Sequence, residues 1–132
     1  MVGFSALQYT SQVVPRNGIV HFDHELVNFR GSYDVMKGVF MSPLKGIYVF
    51  SVSISSSNNS TCKAEIVKNG ASLGVVDADS VGRASLTDQG SITIVTSLDE
   101  GDRVWVRSLL HNHLLGGYRD TLFSGALVSE LP

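Results

Sequence analysis

Two short segments of this chain concentrate side chains that could bind a metal ion. His21-Phe22-Asp23-His24-Glu25 holds two imidazoles and two carboxylates, and His111-Asn112-His113 places two imidazoles on one face of any strand. Imidazole and carboxylate groups are ligands that zinc takes in proteins. Neither segment is followed by a third and fourth ligand at the spacing of a structural site. Solvated turn histidines are therefore the alternative interpretation of both segments.

The sequence motifs of covalent and metal-dependent catalysis are absent as a set. There is no G-x-S-x-G, no H-E-x-x-H and no phosphate-binding loop. The single cysteine, Cys62, stands in no recognisable protease context, and a small strand residue with an inert thiol is the simpler interpretation. The sequence therefore predicts that this protein is not an enzyme.

Two overlapping acceptor sequons for N-linked glycans begin at Asn58 and Asn59. They lie in the serine-rich stretch 51–60, which indicates the end of one strand running into an exposed loop. In a secreted protein one of the two asparagines would bear a glycan, and an unmodified polar loop is the alternative.

Length and charge restrict the classes of function. At 132 residues the chain has the size of one domain, and we expect a single domain over residues 1–132. A net charge of −2, with 17% charged residues, gives no broad electrostatic reason to bind nucleic acid or an anionic membrane. No apolar run approaches the roughly 18 to 20 residues of a membrane span, and the first residues do not resemble a signal peptide. We expect a mature or excised domain with neither a nucleic-acid partner nor a membrane-inserted segment.

The elements that must position these residues are strands. Runs rich in Val, Ile, Tyr, Phe and Thr recur between turn signals, and no apolar period near 3.6 persists. In residues 46–54 the large apolar side chains alternate, which places one set on a core face. The other face is mixed, because Ile47 and Val49 are apolar there while Ser51 and Ser53 are polar. Such a face suits a strand partly covered by a neighbouring subunit.

Turn signals divide the rest of the chain. Asn69-Gly70 is the preferred pair for a type I′ turn and predicts a hairpin between residues 63–68 and 73–76. The turn at 99–102 predicts a second hairpin between residues 91–96 and 103–107. Short strands at this spacing favour a β-sandwich or jelly roll.

One series of spacings is specific enough to suggest a particular protein family. Intervals of five, four, six and five residues separate successive anchors, which are Phe22, Asn28, Tyr33, Phe40 and Gly46-Ile47-Tyr48-Val49-Phe50. This pattern resembles that of the C1q domain of the C1q/TNF-like family. The family has a further aromatic where this chain has Val52, an apolar replacement that still suits a core. Residues 101–106 resemble the family's penultimate strand. Leu115-Gly116-Gly117-Tyr118 and residues 121–125 resemble the closing strand, especially that of cerebellin-like members.

The resemblance implies a ten-stranded, two-sheet jelly-roll sandwich that assembles as a homotrimer. It also implies that both termini lie at the base and that variable loops lie at the apex. The largest aromatic groups at alternating or anchor positions are expected in the core or at its rim, and these are Phe22, Tyr33, Phe40, Tyr48, Phe50, Trp105 and Phe123.

The same resemblance directs attention to three aspartates. Asp77, Asp79 and Asp88 fall in a segment that forms apical loops in C1q-like trimers, and Asp88-Gln89 resembles a pair found in adiponectin-like members. Calcium prefers hard oxygen ligands, so a calcium site is expected here, with solvated loop carboxylates as the alternative. No cofactor is otherwise required.

These features together predict a secreted, non-enzymatic, trimeric recognition module. The leading interpretation is a lectin-like pattern-recognition protein of innate immunity that binds microbial or glycan ligands through apical loops. One alternative is a cytokine-like or synaptic-organiser-like ligand for a protein receptor, which the cerebellin-like block favours. Another is an extracellular matrix or biomineral protein that uses its acidic loops.

Overall fold

A computed structural model describes residues 1–57, 60–81, 87–114 and 121–132, and the regular structure in these ranges is all β. β-branched and aromatic residues form strands readily because they pack well on a pleated surface. The strands are β1 (Gly3–Leu7), β2 (Gln12–Val14), β3 (His24–Phe29), β4 (Tyr33–Asp34), β5 (Val39–Met41), β6 (Gly46–Ser57), β7 (Thr61–Lys68), β8 (Ala71–Asp79), β9 (Thr87–Leu98), β10 (Arg103–Ser108), β11 (Asn112–Leu114) and β12 (Leu122–Glu130).

Ten of these strands form two five-stranded antiparallel sheets. Sheet 1 has the order β3-β1-β12-β6-β9 and sheet 2 the order β4-β5-β10-β7-β8. The remaining strands, β2 and β11, pair as a small ribbon in which Val13 lies opposite His113. The two stacked sheets, with crossovers between them, confirm the predicted jelly roll, and the ribbon is an addition to its ten strands.

Aromatic rings from both sheets meet in the core. Phe4 stacks parallel to Tyr33 at a centroid separation of 4.7 Å, and Phe123 meets Phe4 edge-on at 4.9 Å. Phe40 packs edge-on against Phe50 at 5.3 Å. Stacked and edge-on pairs add to the energy of simple burial. Six residues expected in the core are at most 2% exposed, namely Phe22, Tyr33, Phe40, Tyr48, Phe50 and Phe123.

Trp105 departs from that expectation. Its neighbours in β10, Val104 and Val106, are both fully buried, whereas Trp105 is only half-buried. Because side chains alternate along a strand, the two valines take the core face and the indole takes the outer face of sheet 2. Trp105 is therefore not among the fully buried core residues, because its position in the strand, rather than its size, determines the face that it takes.

Strand β6 shows the predicted alternation, with Tyr48, Phe50, Val52 and Ile54 buried. The strand extends well into the serine-rich stretch before it ends at Ser57. Strand β6 continues beside β9 as far as Ser57, which lies opposite Thr87. The backbone of residues 54–57 is paired with β9, so small polar residues are accepted in this part of the strand.

The Asn69-Gly70 hairpin is confirmed. β7 and β8 pair antiparallel across it, and both turn residues have positive φ, 50° at Asn69 and 93° at Gly70. A type I′ turn requires positive φ at both positions, which Asn and Gly adopt most readily.

The second predicted hairpin is wrong. β9 lies in sheet 1 and β10 in sheet 2, so the turn at 99–102 crosses between the sheets. The amide of Asp99 donates to Asp102 Oδ2 (2.8 Å). The Gly101 amide donates to the Ser42 carbonyl, and the Ser42 amide donates to the Asp102 carbonyl, both at 2.8 Å. Strand, turn and strand follow one another in a hairpin and in a crossing alike, so the local pattern does not distinguish them.

The sandwich has two distinct ends. At what we call the terminal end, β1 begins, β12 ends, and Gly46 pairs with both Glu130 and Leu98. At the opposite, loop end, β6 ends and β7 begins with Thr61 opposite Asp79. Residues 58–59, 82–86 and 115–120 are not among those described. The two sequon asparagines, Asn58 and Asn59, and the Leu115-Gly116-Gly117-Tyr118 block therefore lie outside the described residues.

Candidate functional site

Three anchors of the spacing pattern are joined by hydrogen bonds. The side-chain amide of Asn28 donates to the Tyr33 carbonyl (2.7 Å) and its oxygen accepts from the Tyr33 amide (3.2 Å). The Tyr33 hydroxyl donates to the Phe22 carbonyl (3.0 Å) and accepts from the Phe22 amide (3.2 Å). Burial is the main cause that raises the pKa of Tyr33 well above its ordinary value of 10.0. These contacts fix the β3–β4 corner against the aromatic core.

The outer face of sheet 1 bears an apolar row across all five strands. Register places Phe29, Gly3, Ala126, Val49 and Val95 side by side on the face opposite the core. Phe29 is 48% exposed and Val95 67% exposed. We call these five residues the apolar row. A continuous apolar strip on an otherwise solvated sheet is typical of an interaction surface.

Beside the apolar row the same face changes character. The next row toward the loop end contains mostly small hydroxyl residues, and it comprises Val27, Ser5, Ser124, Ser51 and Thr93. Ser51 and Thr93 hydroxyls lie 2.9 Å apart. A hollow of about 260 Å³ on this face is lined by Val27, Phe29 and Ala126, among others. The face thus offers apolar surface at the terminal end and small polar groups further along.

The three aspartates lie at the ends of strands rather than in loops. Asp77 and Asp79 belong to β8, and Asp88 to β9. Asp79 Oδ1 accepts from the Val81 amide (2.9 Å) and the Thr61 hydroxyl (3.1 Å). Asp88 Oδ2 accepts from the Asp79 amide (2.9 Å). In these contacts the carboxylates link β7, β8 and β9 at the loop end.

A calcium ion fits this arrangement poorly within one chain. The described residues contain no group of three His, Cys, Asp or Glu side chains placed to hold a metal ion. Asp88 also lies opposite the buried Ser56, and its carboxylate bonds to the backbone of β8. It is therefore turned toward sheet 2 and away from the outer face of sheet 1.

The four histidines have different neighbours, and only His111 and His113 lie side by side. His24 stacks on Tyr9 with 3.9 Å between ring centroids, and His111 and His113 lie 5.2 Å apart at 63°. The backbone of His21 is held by Gln12, whose side chain accepts from its amide (3.1 Å) and donates to its carbonyl (2.8 Å). In the described part of the chain these histidines do not combine into the set of three that a zinc site needs.

One buried ion pair escaped the sequence reasoning. Glu65 and Arg107 lie directly opposite in β7 and β10, and Arg107 Nε donates to Glu65 Oε1 (2.8 Å). Burial acts to raise the pKa of Glu65, but hydrogen bonds from Ser72 and Arg107 outweigh it and the pKa is lowered. The pairing depends on the strand register between segments far apart in the sequence, so no local motif predicts it.

Two five-stranded sheets in this order, closed around an aromatic core, define a jelly roll of the C1q/TNF type. The model of the family described as "C1q domain" matches residues 3–128. The chain therefore belongs to the C1q domain family.

Solved structures agree on the fold. The globular domain of zebrafish complement 1qA superimposes with a TM-score of 0.77 at 20% identity, covering 99% of this chain and 100% of that one. Eiger TNF from S. frugiperda gives 0.81 at 13% identity, covering 99% and 94%. Murine APRIL gives 0.76 at 11% identity, covering 96% and 98%.

Among curated proteins, mouse complement C1q tumor necrosis factor-related protein 6 is 33% identical over 112 residues. The match covers 81% of this chain and 41% of that protein, and the rat protein of the same name gives 32% with the same coverage. The chain thus spans less than half the length of these relatives. Within the described residues, no helix is both long and apolar enough to cross a membrane.

Proposed function

We propose that this domain is a secreted, non-enzymatic recognition module that works as a homotrimer. The observation that carries the proposal is the apolar row, which runs across sheet 1 and leaves Val95 and Phe29 largely exposed in one chain. Copies packed around a threefold axis would cover such a face, because cyclic symmetry brings the same strip of every subunit together. Membership of the C1q domain family supports this arrangement.

We propose further that the loop end binds glycan or microbial-surface ligands through several weak contacts. A trimer would hold its three loop ends in a fixed relation, so it could engage neighbouring ligands at once. If one head binds at about millimolar strength, engagement of several could raise the apparent affinity by roughly 10² to 10⁴. Recognition would then depend on ligand density more than on any one pocket.

The test compares immobilised and free ligands. A panel of glycans is immobilised at high and low density, intact bacteria are included, and retention is measured with and without competing free monosaccharide. We expect strong retention on dense surfaces and weak competition by free sugar. Equal and tight binding of one monosaccharide per chain would contradict multivalent recognition and indicate a preformed pocket.

A receptor ligand is the second candidate, because the curated relatives at 32–33% identity are named as tumor necrosis factor-related proteins. Pull-down of receptor ectodomains beside the glycan panel separates the two functions. Saturable binding of one ectodomain, with no retention on any glycan or bacterium, would favour this candidate over the first.

Calcium binding by Asp77, Asp79 and Asp88 stays a prediction. Since one chain does not gather three ligands among its described residues, the ion would have to be shared between copies of the trimer. Melting curves with calcium and with chelator test this for the native protein and for Asp88→Asn. A calcium-dependent rise in melting temperature that Asp88→Asn abolishes would support the site. Identical curves would leave these aspartates as acceptors of the strand-end hydrogen bonds alone.

A further inference from the structure

Two adjoining hollows open beside sheet 2 at the terminal end, away from the loop end. They measure about 300 and 260 Å³, and both are lined by Gly31, Ser32 and Met41. We call the pair the lateral groove. Its volume is at the lower limit of small-ligand sites, and two adjoining hollows suit an extended ligand.

Three cations line the lateral groove. Lys37 and Arg103 border one hollow and Arg30 the other, and all three residues are exposed. Their side-chain nitrogens make no hydrogen bond or ion pair with any described residue. Two other cations of sheet 2 behave differently, since Lys68 pairs with Asp102 at 3.7 Å and Arg107 with Glu65. The groove thus gathers three of the ten Lys and Arg residues with their charges available to a ligand.

The backbone at Arg30 is unusual for its residue type. Arg30 has φ of 66° and Gly31 of 57°, so both occupy the left-handed region in the turn between β3 and β4. The comparable turn in sheet 2 uses Asn69-Gly70, the pair that such turns favour. Arginine lacks the short polar side chain that makes asparagine favourable there. The conformation of the turn therefore does not favour arginine at this position, where Arg30 lines the groove.

The remaining lining narrows the class of ligand. Asp34 lines one hollow and Glu100 the other. Asp34 Oδ1 accepts from the amides of Met36 (2.9 Å) and Lys37 (3.2 Å), and the remaining carboxylate oxygens can accept hydrogen bonds from hydroxyl groups. Val39 and Met41 supply apolar surface for the C–H face of a sugar ring. No aromatic ring is among the described residues that line the groove, so it lacks the stacking platform that single-stranded nucleic acids use. The three cations outnumber the two carboxylates, so the groove keeps a net positive charge for acidic groups and has acceptors for hydroxyl groups, a combination that suits an acidic saccharide.

We propose that the lateral groove binds acidic saccharides, with the sulfate or carboxylate groups of the sugar paired to Arg30, Lys37 and Arg103. This site is separate from the loop-end recognition proposed above. It gives the protein a second, charge-dependent contact with polysaccharide at the terminal end.

The test uses a fluorescently labelled heparin hexasaccharide and its fully desulfated counterpart, and their binding to the 132-residue chain is measured by fluorescence anisotropy. The groove variant combines Arg30→Asn, Lys37→Gln and Arg103→Gln. The control removes three cations elsewhere by Arg16→Gln, Lys45→Gln and Lys63→Gln. We expect roughly tenfold weaker binding in the groove variant, because three charge contacts of exposed-pair strength add to about that factor. The control should stay within about twofold.

Thermal melting checks folding, and Arg30→Asn should be tolerated because asparagine suits the turn. Equal losses in the groove variant and the control would overturn the proposal and indicate attraction by total charge alone. Equal binding of the desulfated sugar, or tighter binding of a single-stranded oligonucleotide or of phosphatidylserine vesicles, would also overturn it. Retention of neutral glycans should be unchanged in the groove variant, which separates a failure here from a failure of the loop-end proposal.

Discussion

The buried hydroxyl of Tyr33 is both a hydrogen-bond donor and a hydrogen-bond acceptor. It accepts from the Phe22 amide and donates to the Phe22 carbonyl. The Asn28 side chain bonds to both the amide and the carbonyl of Tyr33. A buried donor or acceptor that loses its partner costs about 1 to 3 kcal/mol. The spacing pattern that joins Phe22, Asn28 and Tyr33 in the sequence thus reflects a physical connection between them.

Replacing Tyr33 by Phe should therefore lower the free energy of unfolding by about 1 to 3 kcal/mol at neutral pH, measured by urea denaturation. The native protein should also lose stability in alkali. Burial raises the pKa of Tyr33 in the folded state above its ordinary value of 10.0. The contribution of the neutral Tyr33 hydroxyl to the free energy of unfolding is therefore fully present below pH 10.0 and falls as the pH rises above it.

Comparison with two variants isolates this effect. The alkaline loss should be smaller in Tyr33→Phe, because that side chain no longer ionises in either state. Tyr9→Phe serves as the control, since Tyr9 is 47% exposed, and it should behave as the native protein does. Unchanged stability of Tyr33→Phe at both pH values would show that the Phe22 backbone finds other partners.

At the scale of elements, the two sheets close against each other along β8 and β9. A Cβ atom added at Gly90 in β9 would lie 1.8 Å from the carbonyl oxygen of Asp77 in β8. One added at Gly74 would lie 2.5 Å from Ile92 Cδ1. The atom that would clash at Gly90 belongs to the backbone, whereas the atom that would clash at Gly74 is the end of a flexible side chain.

Gly90→Ala should consequently destabilise the protein by about 1 to 3 kcal/mol or more, as overpacking does, because the strand edges must separate. Gly74→Ala is the matched control and should cost less than half as much, since Ile92 can change rotamer. Melting temperatures of the two variants give the comparison. A cost for Gly74→Ala equal to or above that for Gly90→Ala would mean that the strands shift freely.

Local pattern predicted some elements and failed on others for identifiable reasons. Alternation in β6 defined its core face, and the Asn69-Gly70 pair located one turn, because both signals are contained in a few consecutive residues. The turn at 99–102 has the local pattern of a hairpin, and no local signal states which sheet the next strand joins. The size of Trp105 suggests burial, but its valine neighbours in β10 occupy the core face.

In the candidate site, too, the features that depend on distant segments could not be predicted from the sequence. The aspartates at 77, 79 and 88 were expected in loops, yet they lie within β8 and β9. The lateral groove was not foreseen, since Arg30, Lys37 and Arg103 are brought together only when β4, β5 and β10 pair in sheet 2. Sites assembled from distant strands require the topology before their residues can be grouped.

For the whole molecule, the apolar row leads to a test of assembly. Val95 is 67% exposed in one chain, so Val95→Glu should leave the fold of that chain intact. It should nevertheless disrupt a trimer, because a carboxylate would be buried without a partner at the interface.

Light scattering at micromolar concentration should give about three times the 14.2 kDa chain mass for the native protein and a single chain mass for Val95→Glu. Val13→Glu introduces the same charge on β2 of the small ribbon, where Val13 is 56% exposed, and should remain trimeric. A native protein of single-chain mass would contradict the assembly, as would a Val95→Glu variant that stays trimeric.

The neighbouring positions of β1 and β12 determine how the molecule would sit on a solid support. The Leu127 amide donates to the Val2 carbonyl (3.0 Å) and the Leu131 amide to the Lys45 carbonyl (3.0 Å), so both chain ends leave from the same side. A tether at either terminus would orient the domain identically, with the loop end facing solution. The lateral groove would then face the support. Surface-capture assays anchored through a terminus should report ligands of the loop end and miss those of the groove, which would be detected by measurements in free solution.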